Sequence, residues 1–197
     1  MAIATDSQPT AVLSLEDFLQ QPETKPAREF SHGVVTQKPM PKGKHGTLQF
    51  ELTAAINQRT KVQKLAYAIP ELRCTFGGRS LVPDIAVTRW ERLPRDDNGA
   101  IADDFWQYPD WVIEILSPDQ SSTLVMEKII FCLGQGTEIG WLINPNDRSV
   151  TVLCQGQLPS IHFAEPISEE KSVPLPMMTG LEDWQLSASE LFSWLEI

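Results

Sequence analysis

Hydrophobic positions along the chain recur in two rhythms, and each predicts its own elements. In TLQFELTAAINQRTKVQ (47–63), Leu48, Leu52, Ala55, Ile56 and Val62 fall on one helical arc with polar residues elsewhere, the spacing of an amphipathic helix. STLVMEKIIFCLGQG (122–136) predicts a second helix, with Ser122 or Thr123 as cap and Gly136 just past its end. SLEDFLQQ (14–21) reads as a shorter one: Ser14 is a fitting N-cap, and Glu16 and Asp17 lie in the first turn, where the helix dipole favours them. Near the end, Leu191, Trp194 and Leu195 suggest a terminal helix.

The other rhythm is that of strands. REFSHGVVTQKPM (28–40) predicts a hairpin with Gly33 near its turn, followed by a loop, PKGKHG (41–46). AYAI (66–69), ELRCTF (71–76) and DIAVT (84–88) read as strands broken by Pro70 and by GGRS (77–80). A long polar connection (89–109), with five acidic residues and Gly99, leads to the most apolar run, WVIEIL (111–116). IGWLIN (139–144) and SVTVLC (149–154) flank a turn, NPNDR. The strand–helix–strand unit at 111–144 predicts a parallel pair joined by a crossover, while the remaining pairs are expected to be antiparallel. The fold class is therefore α/β or α+β, a mixed sheet flanked by helices.

Length and composition narrow this further. A chain of 197 residues with 42% hydrophobic residues can bury a real core. It fits one domain at 13–197 behind a polar tail, 1–12, expected to be disordered. No apolar run approaches the roughly 18 residues of a membrane span. The N-terminus lacks the basic and apolar segments of a secretory signal. Cys74, Cys132 and Cys154 are odd in number and far apart, unlike a disulfide framework or a zinc site. A cytoplasmic location is the resulting expectation. The net charge of −10 sets a condition on any nucleic-acid partner: phosphate contacts depend on Lys and Arg, so they would have to come from a local basic face.

WVIEIL contains one misfit. Glu114 lies among Trp111, Val112, Ile113, Ile115 and Leu116. A buried carboxylate needs a hydrogen-bonded or charged partner, or it takes up a proton. Asp84 opens DIAVT after Pro83. If the two strands are neighbours, both carboxylates can point to one face. Two close carboxylates repel unless one is protonated or a cation sits between them, and Mg2+ suits such an oxygen-rich position. The plainer alternative makes Asp84 a turn residue and pairs Glu114 with an arginine across the sheet. Lys128 lies on the helix arc of Leu124, Val125, Ile129 and Cys132, which should face the sheet. Its ammonium either snorkels to the edge or reaches a site at the end of the preceding strand. On residue type alone His45 is a helix-terminal histidine and Glu29 a strand-edge charge. Arg28, Lys38, Lys42 and Lys44 form the most basic stretch, either a solvated loop or a set of phosphate contacts.

Six segments in order carry a resemblance: EFSHGVV (29–35), GKHG (43–46), VPDIAV (82–87), PDWVIEILSP (109–118), EKIIFCLGQG (127–136) and GWLINPNDRSVTVL (140–153). With these separations the chain resembles the Uma family of restriction endonucleases, a branch of the PD-(D/E)XK nuclease superfamily, from about residue 14 to 195. The resemblance implies a restriction-endonuclease-like core and hydrolysis of phosphodiester bonds in DNA. It also implies Mg2+, or Mn2+, held by Asp84, Glu114 and the main-chain carbonyl near Ile115. The superfamily usually carries its lysine two residues after the second acid, which is Leu116 here; Lys128 matches the displaced lysine of this family. Glu29 and His45 match auxiliary polar positions. A homodimer is implied, and no organic cofactor is expected. Two positions depart from the family's pattern: Cys132 stands where an aromatic is common, and Asn144 where Asp is common. With the acidic charge, these leave open a nuclease scaffold that binds without turnover. Trp90, Trp106 and Trp111 around the long connection admit a third reading, a protein-interaction surface.

Overall fold

The computed structural model describes residues 13–118, 120–164 and 173–196. The expected disordered tail, 1–12, lies outside the described residues. Ser14 caps α1 (Leu15–Leu19) by accepting the Asp17 N–H at 3.0 Å. Next come β1 (Arg28–Ser31) and β2 (Val34–Gln37), joined by a two-residue turn in which His32 and Gly33 both have positive φ. After α2 (Gly43–Thr60) come β3 (Ala66–Pro70), β4 (Cys74–Phe76), β5 (Arg79–Leu81) and β6 (Ile85–Arg89). β7 (Trp111–Ile115), α3 (Ser122–Gln135), β8 (Ile139–Asn144), β9 (Ser149–Cys154), β10 (Ser160–Phe163) and α4 (Ala188–Ser193) complete the order.

The strands form two sheets. The larger runs β10-β9-β8-β7-β6-β3, and only β7 and β8 are parallel within it, with α3 as their crossover. The smaller runs β2-β1-β5-β4. GGRS, expected as a break, turns the chain instead. Gly77 and Gly78 take φ of 56° and 77°, the pattern of a tight hairpin turn, and Arg79–Leu81 return as β5 beside β1.

Side-chain alternation along β7 sorts the core. Trp111, Ile113 and Ile115 share one face with Leu48, Leu52 and Ile56 of α2 and with Leu191 and Phe192 of α4. Val112 faces the other way, among Val125, Ile129, Cys132 and Leu133 of α3. A strand alternates with period two, so Glu114 belongs to the α3 side. There Gly140 of β8 makes room for the helix: a Cβ on it would lie 2.2 Å from Ile129 Cγ2.

Three expectations need correction. The helix expected from residue 47 begins at Gly43 and ends at Thr60, which takes His45 into its first turn and leaves Val62 exposed beyond its end. On α3, Leu124 faces solvent, and Leu133 completes the buried set Val125, Lys128, Ile129 and Cys132. β10 is the third: SIHF alternates polar and apolar, but over only four mostly exposed residues, too short a run to read as a strand. Of the three tryptophans considered as an interface, Trp111 is core, Trp90 is half-buried and Trp106 is exposed.

Candidate metal and phosphodiesterase site

Pro83 has no N–H to give a ladder, and β6 begins only at Ile85. Val82 and Asp84 thus stand at the strand's entry with polar groups free for other partners. β6 and β7 are antiparallel, with Ile85 opposite Ile113 and Ala86 opposite Val112. One step further along the same register, Asp84 stands across from Glu114. Both are buried, at 2% exposure each. Asp84 Oδ2 accepts the Ile115 N–H at 2.6 Å, which ties the first acid to the strand of the second.

Two lysines serve these acids. Lys128 reaches down from α3, its Nζ 2.7 Å from Glu114 Oε1 and 3.2 Å from the Val82 carbonyl, which accepts from it. Glu29 of β1 also holds the ammonium, and the same Glu29 Oε1 accepts the Val82 N–H at 2.7 Å. Lys38, just past β2, approaches from the other side. It donates to Asp84 Oδ1 at 2.7 Å, the Val82 carbonyl at 2.9 Å and Glu71 Oε1 at 3.0 Å. His45 Nε2 lies 3.4 Å from Asp84 Oδ1, and its Nδ1 lies 3.4 Å from Ser117 Oγ. One helical turn on, Gln49 donates to the Asp84 carbonyl and to Glu71.

The environment separates the two acids. Burial alone would raise Asp84, but contact with His45 and the charges of Lys38 and Lys128 hold it well below the usual carboxylate range. Burial pushes Glu114 up to about 8 against the charge of Lys128, with Asp84 and Glu29 adding to the rise. The environment thus favours a proton on Glu114 rather than on Asp84. Burial also disfavours both ammonium groups. Glu114, Glu29 and Asp84 outweigh it at Lys128, as Asp84, Glu114 and Glu71 do at Lys38, and both are raised. Cys74 and Cys132 are nearby in the core, and burial pushes their thiols up.

The donor set fits a divalent ion. Glu114 Oε1 is buried without a hydrogen-bond partner: Lys128 is near enough for an ion pair but approaches outside hydrogen-bond geometry. His45, Glu71 and Asp84 each offer a ligand atom, and these atoms lie within 4.8 Å of one another. Carboxylate oxygens are the ligands Mg2+ prefers, and an imidazole nitrogen is compatible with Mn2+.

Of the residues singled out from the sequence, the structure brings together Asp84, Glu114, Lys128, Glu29 and His45, with Ile115 supplying its N–H. Lys38, considered as a phosphate contact, belongs to the same buried cluster. Arg28 does not join them: it points to the face of β1 opposite Glu29, beside Phe18 and Arg73, and donates to the Pro22 carbonyl at 3.0 Å. Lys42 caps α2 and Lys44 lies in its first turn, both exposed. Glu71 and Gln49 went unnoticed. Gln49 had a signal, four residues after His45 on one helix face. Glu71 had none: it is an ordinary-looking charge after Pro70, held at φ 52°.

The Uma2 family model, described as "Putative restriction endonuclease", matches residues 15–188. No curated protein matches the chain. Among solved structures, the chain is similar to one titled as a "putative nuclease belonging to DUF820" from Anabaena variabilis. The two are 46% identical, the match covers 93% of this chain and 99% of that one, and the TM-score is 0.87.

Proposed function

The chain belongs to the Uma2 family of restriction-endonuclease relatives, and on that premise we propose that it is a Mg2+-dependent endonuclease hydrolysing phosphodiester bonds in DNA. The carrying observation is the meeting of Asp84 and Glu114 across the β6–β7 register, with Lys128 at 2.7 Å from the second acid. Asp84, Glu114 and the Ile115 carbonyl would hold Mg2+, with Mn2+ as a substitute. When bound, the ion would lower the pKa of a coordinated water and offset charge on the scissile phosphate.

The protein's own groups do the rest. Asp84 enters the reaction already ionised and fixed by the Ile115 N–H. Glu114 would have to be ionised to serve as a ligand, its proton passing to solvent. Lys128, aimed by Glu29 and the Val82 carbonyl, orients the attacking water and stabilises negative charge in the transition state. His45 holds Asp84 in position, as outer-shell groups do at metal sites. Lys42 and Lys44, exposed beside His45 at the start of α2, meet the phosphate backbone, local positive charge that a chain of net −10 needs. The active form is a cytoplasmic homodimer, one subunit per strand of a duplex.

One observation favours a second reading, a nuclease scaffold that binds without turnover: an ammonium already sits 2.7 Å from each acid, Lys38 at Asp84 and Lys128 at Glu114. The test is cleavage of supercoiled plasmid in Mg2+, Mn2+ or EDTA by the wild type, Asp84→Asn and Lys128→Met. Metal-dependent nicking lost in both variants supports the endonuclease. Equal nicking by all three overturns it. No nicking, with Asp84-dependent metal binding intact, selects the scaffold.

A further inference from the structure

The geometry points to Lys38 as a resident cation: its ammonium neutralises Asp84 and Glu71 while no divalent ion is bound, and it must leave Asp84 for one to bind. This rests on the divalent-ion reading above and adds a competitor within the chain. Three observations carry it. The Lys38 side chain is only 8% exposed, and all three of its polar partners, Asp84 Oδ1, Glu71 Oε1 and the Val82 carbonyl, lie within 3.0 Å. Two of those partners, Asp84 and Glu71, belong to the His45–Glu71–Asp84 group whose ligand atoms converge within 4.8 Å. Glu114 Oε1 already has the Lys128 ammonium at 2.7 Å, so the second acid keeps a cation of its own when Lys38 leaves Asp84.

A divalent ion held at about 2.1 Å from Asp84 Oδ1 would lie within about 5 Å of the Lys38 nitrogen at its present distance. Two such cations repel strongly in a buried setting. The ammonium yields more readily than the ion: it sits at the end of a flexible four-carbon stem beyond the end of β2, on a residue that is half-buried as a whole. Lys128 is different. It too touches a proposed ligand, Glu114 at 2.7 Å, but Glu29 and the Val82 carbonyl, which are not ligands, also hold it inside the α3 face, where it is buried as a whole residue. The two lysines thus divide the work: Lys128 stays, and Lys38 exchanges with the metal.

The test is calorimetric titration of the full chain with Mn2+, comparing wild type, Lys38→Met and Lys38→Arg, each checked for folding by near-ultraviolet circular dichroism. Lys38→Met is expected to bind Mn2+ at least tenfold more tightly than wild type, and Lys38→Arg, which keeps the charge, within about threefold of it. Equal or weaker binding by Lys38→Met, including no binding by either, overturns the exchange. Adding Asp84→Asn separates the two ideas: if it leaves Mn2+ binding intact, the assignment of the ion to Asp84 fails; if it abolishes binding while Lys38→Met matches wild type, the exchange alone fails. A second measurement needs no variant. Amine acetylation of the wild type, mapped by mass spectrometry, should label Lys38 several-fold faster with saturating Mg2+ than with EDTA. Equal protection in both counts against displacement.

Discussion

Asp84 Oδ2 accepts the main-chain N–H of Ile115 at 2.6 Å, so one carboxylate both braces the junction of β6 with β7 and offers its other oxygen to a cation. These roles can be separated. Asp84→Asn keeps a side-chain acceptor for the N–H but removes the charge. Its amide N–H2 then faces the Lys38 ammonium, so it is expected to lose Mn2+ binding and at least a hundredfold in cleavage, and to unfold at a urea midpoint below wild type but above Asp84→Ala. Asp84→Ala also strands the buried Lys38 ammonium, and losing one partner of a buried pair costs about 3–5 kcal/mol. Urea denaturation in EDTA distinguishes the two, and equal midpoints would show that Asp84 does not brace the fold.

Glu114 sets the pH response of the metal-free protein. Its carboxyl titrates near its ordinary 4.5 in the unfolded chain and near 8 in the fold. Between those values the unfolded chain has released the proton and the folded chain retains it. Stability contributed by this residue therefore falls as pH rises through that window and levels off above about 8. Glu114→Gln mimics the neutral form at every pH. Its stability relative to wild type is expected to grow between pH 5 and 8 by at least about 1.4 kcal/mol, the equivalent of one pKa unit. Parallel pH profiles for the two proteins would contradict this.

Lys128 faces both Glu29 and Glu114. Lys128→Met leaves the buried Glu114 and the half-buried Glu29 without their shared cation, at a cost of about 3–5 kcal/mol. The loss should be larger at pH 8 than at pH 6, because Glu114 is ionised over more of the population at pH 8. In the Glu114→Gln background the same substitution should cost less, and a double-mutant cycle reads the difference as coupling between the two residues. Additive effects would mean that the pair is not coupled.

Gly140 controls how closely α3 approaches the sheet. A methyl group there collides with Ile129, the residue after Lys128. Gly140→Ala is expected to destabilise the fold by about 1–3 kcal/mol through overpacking, lowering Tm by about 2–4 °C per kcal/mol for a chain of this size. It should also reduce cleavage, by displacing the lysine from Glu114. Thermal unfolding and plasmid nicking measured together check both, and unchanged values would mean that α3 has slack.

What was legible in the sequence followed from burial. The β7 run is apolar throughout because both faces of that strand are covered, and the same uniformity made Glu114 conspicuous. The crossover helix and the parallel strand after it followed from period and length. Features decided by distant contacts were hidden. α2 begins at Gly43 although its first turn holds two glycines, two basic residues and no acid, a poor start by propensity; contacts of His45 with Asp84 and Ser117 anchor that turn. Lys38 looked like one of several loop cations because its partners lie 33, 44 and 46 residues away. Glu71 reads as surface charge from any window of sequence, and only the positions of Lys38 and Gln49 give it meaning.

The Val82 carbonyl takes one donor from a residue 44 positions upstream and another 46 positions downstream. Leu116, where the superfamily would carry its lysine, packs into the apolar layer under α3 instead. An ammonium in this architecture is thus specified by where its nitrogen terminates rather than by its address in a motif. A search that insists on an acid followed two places later by lysine would pass over chains built this way; one that asks which side chains end at the peptide group before the first acid would recover them.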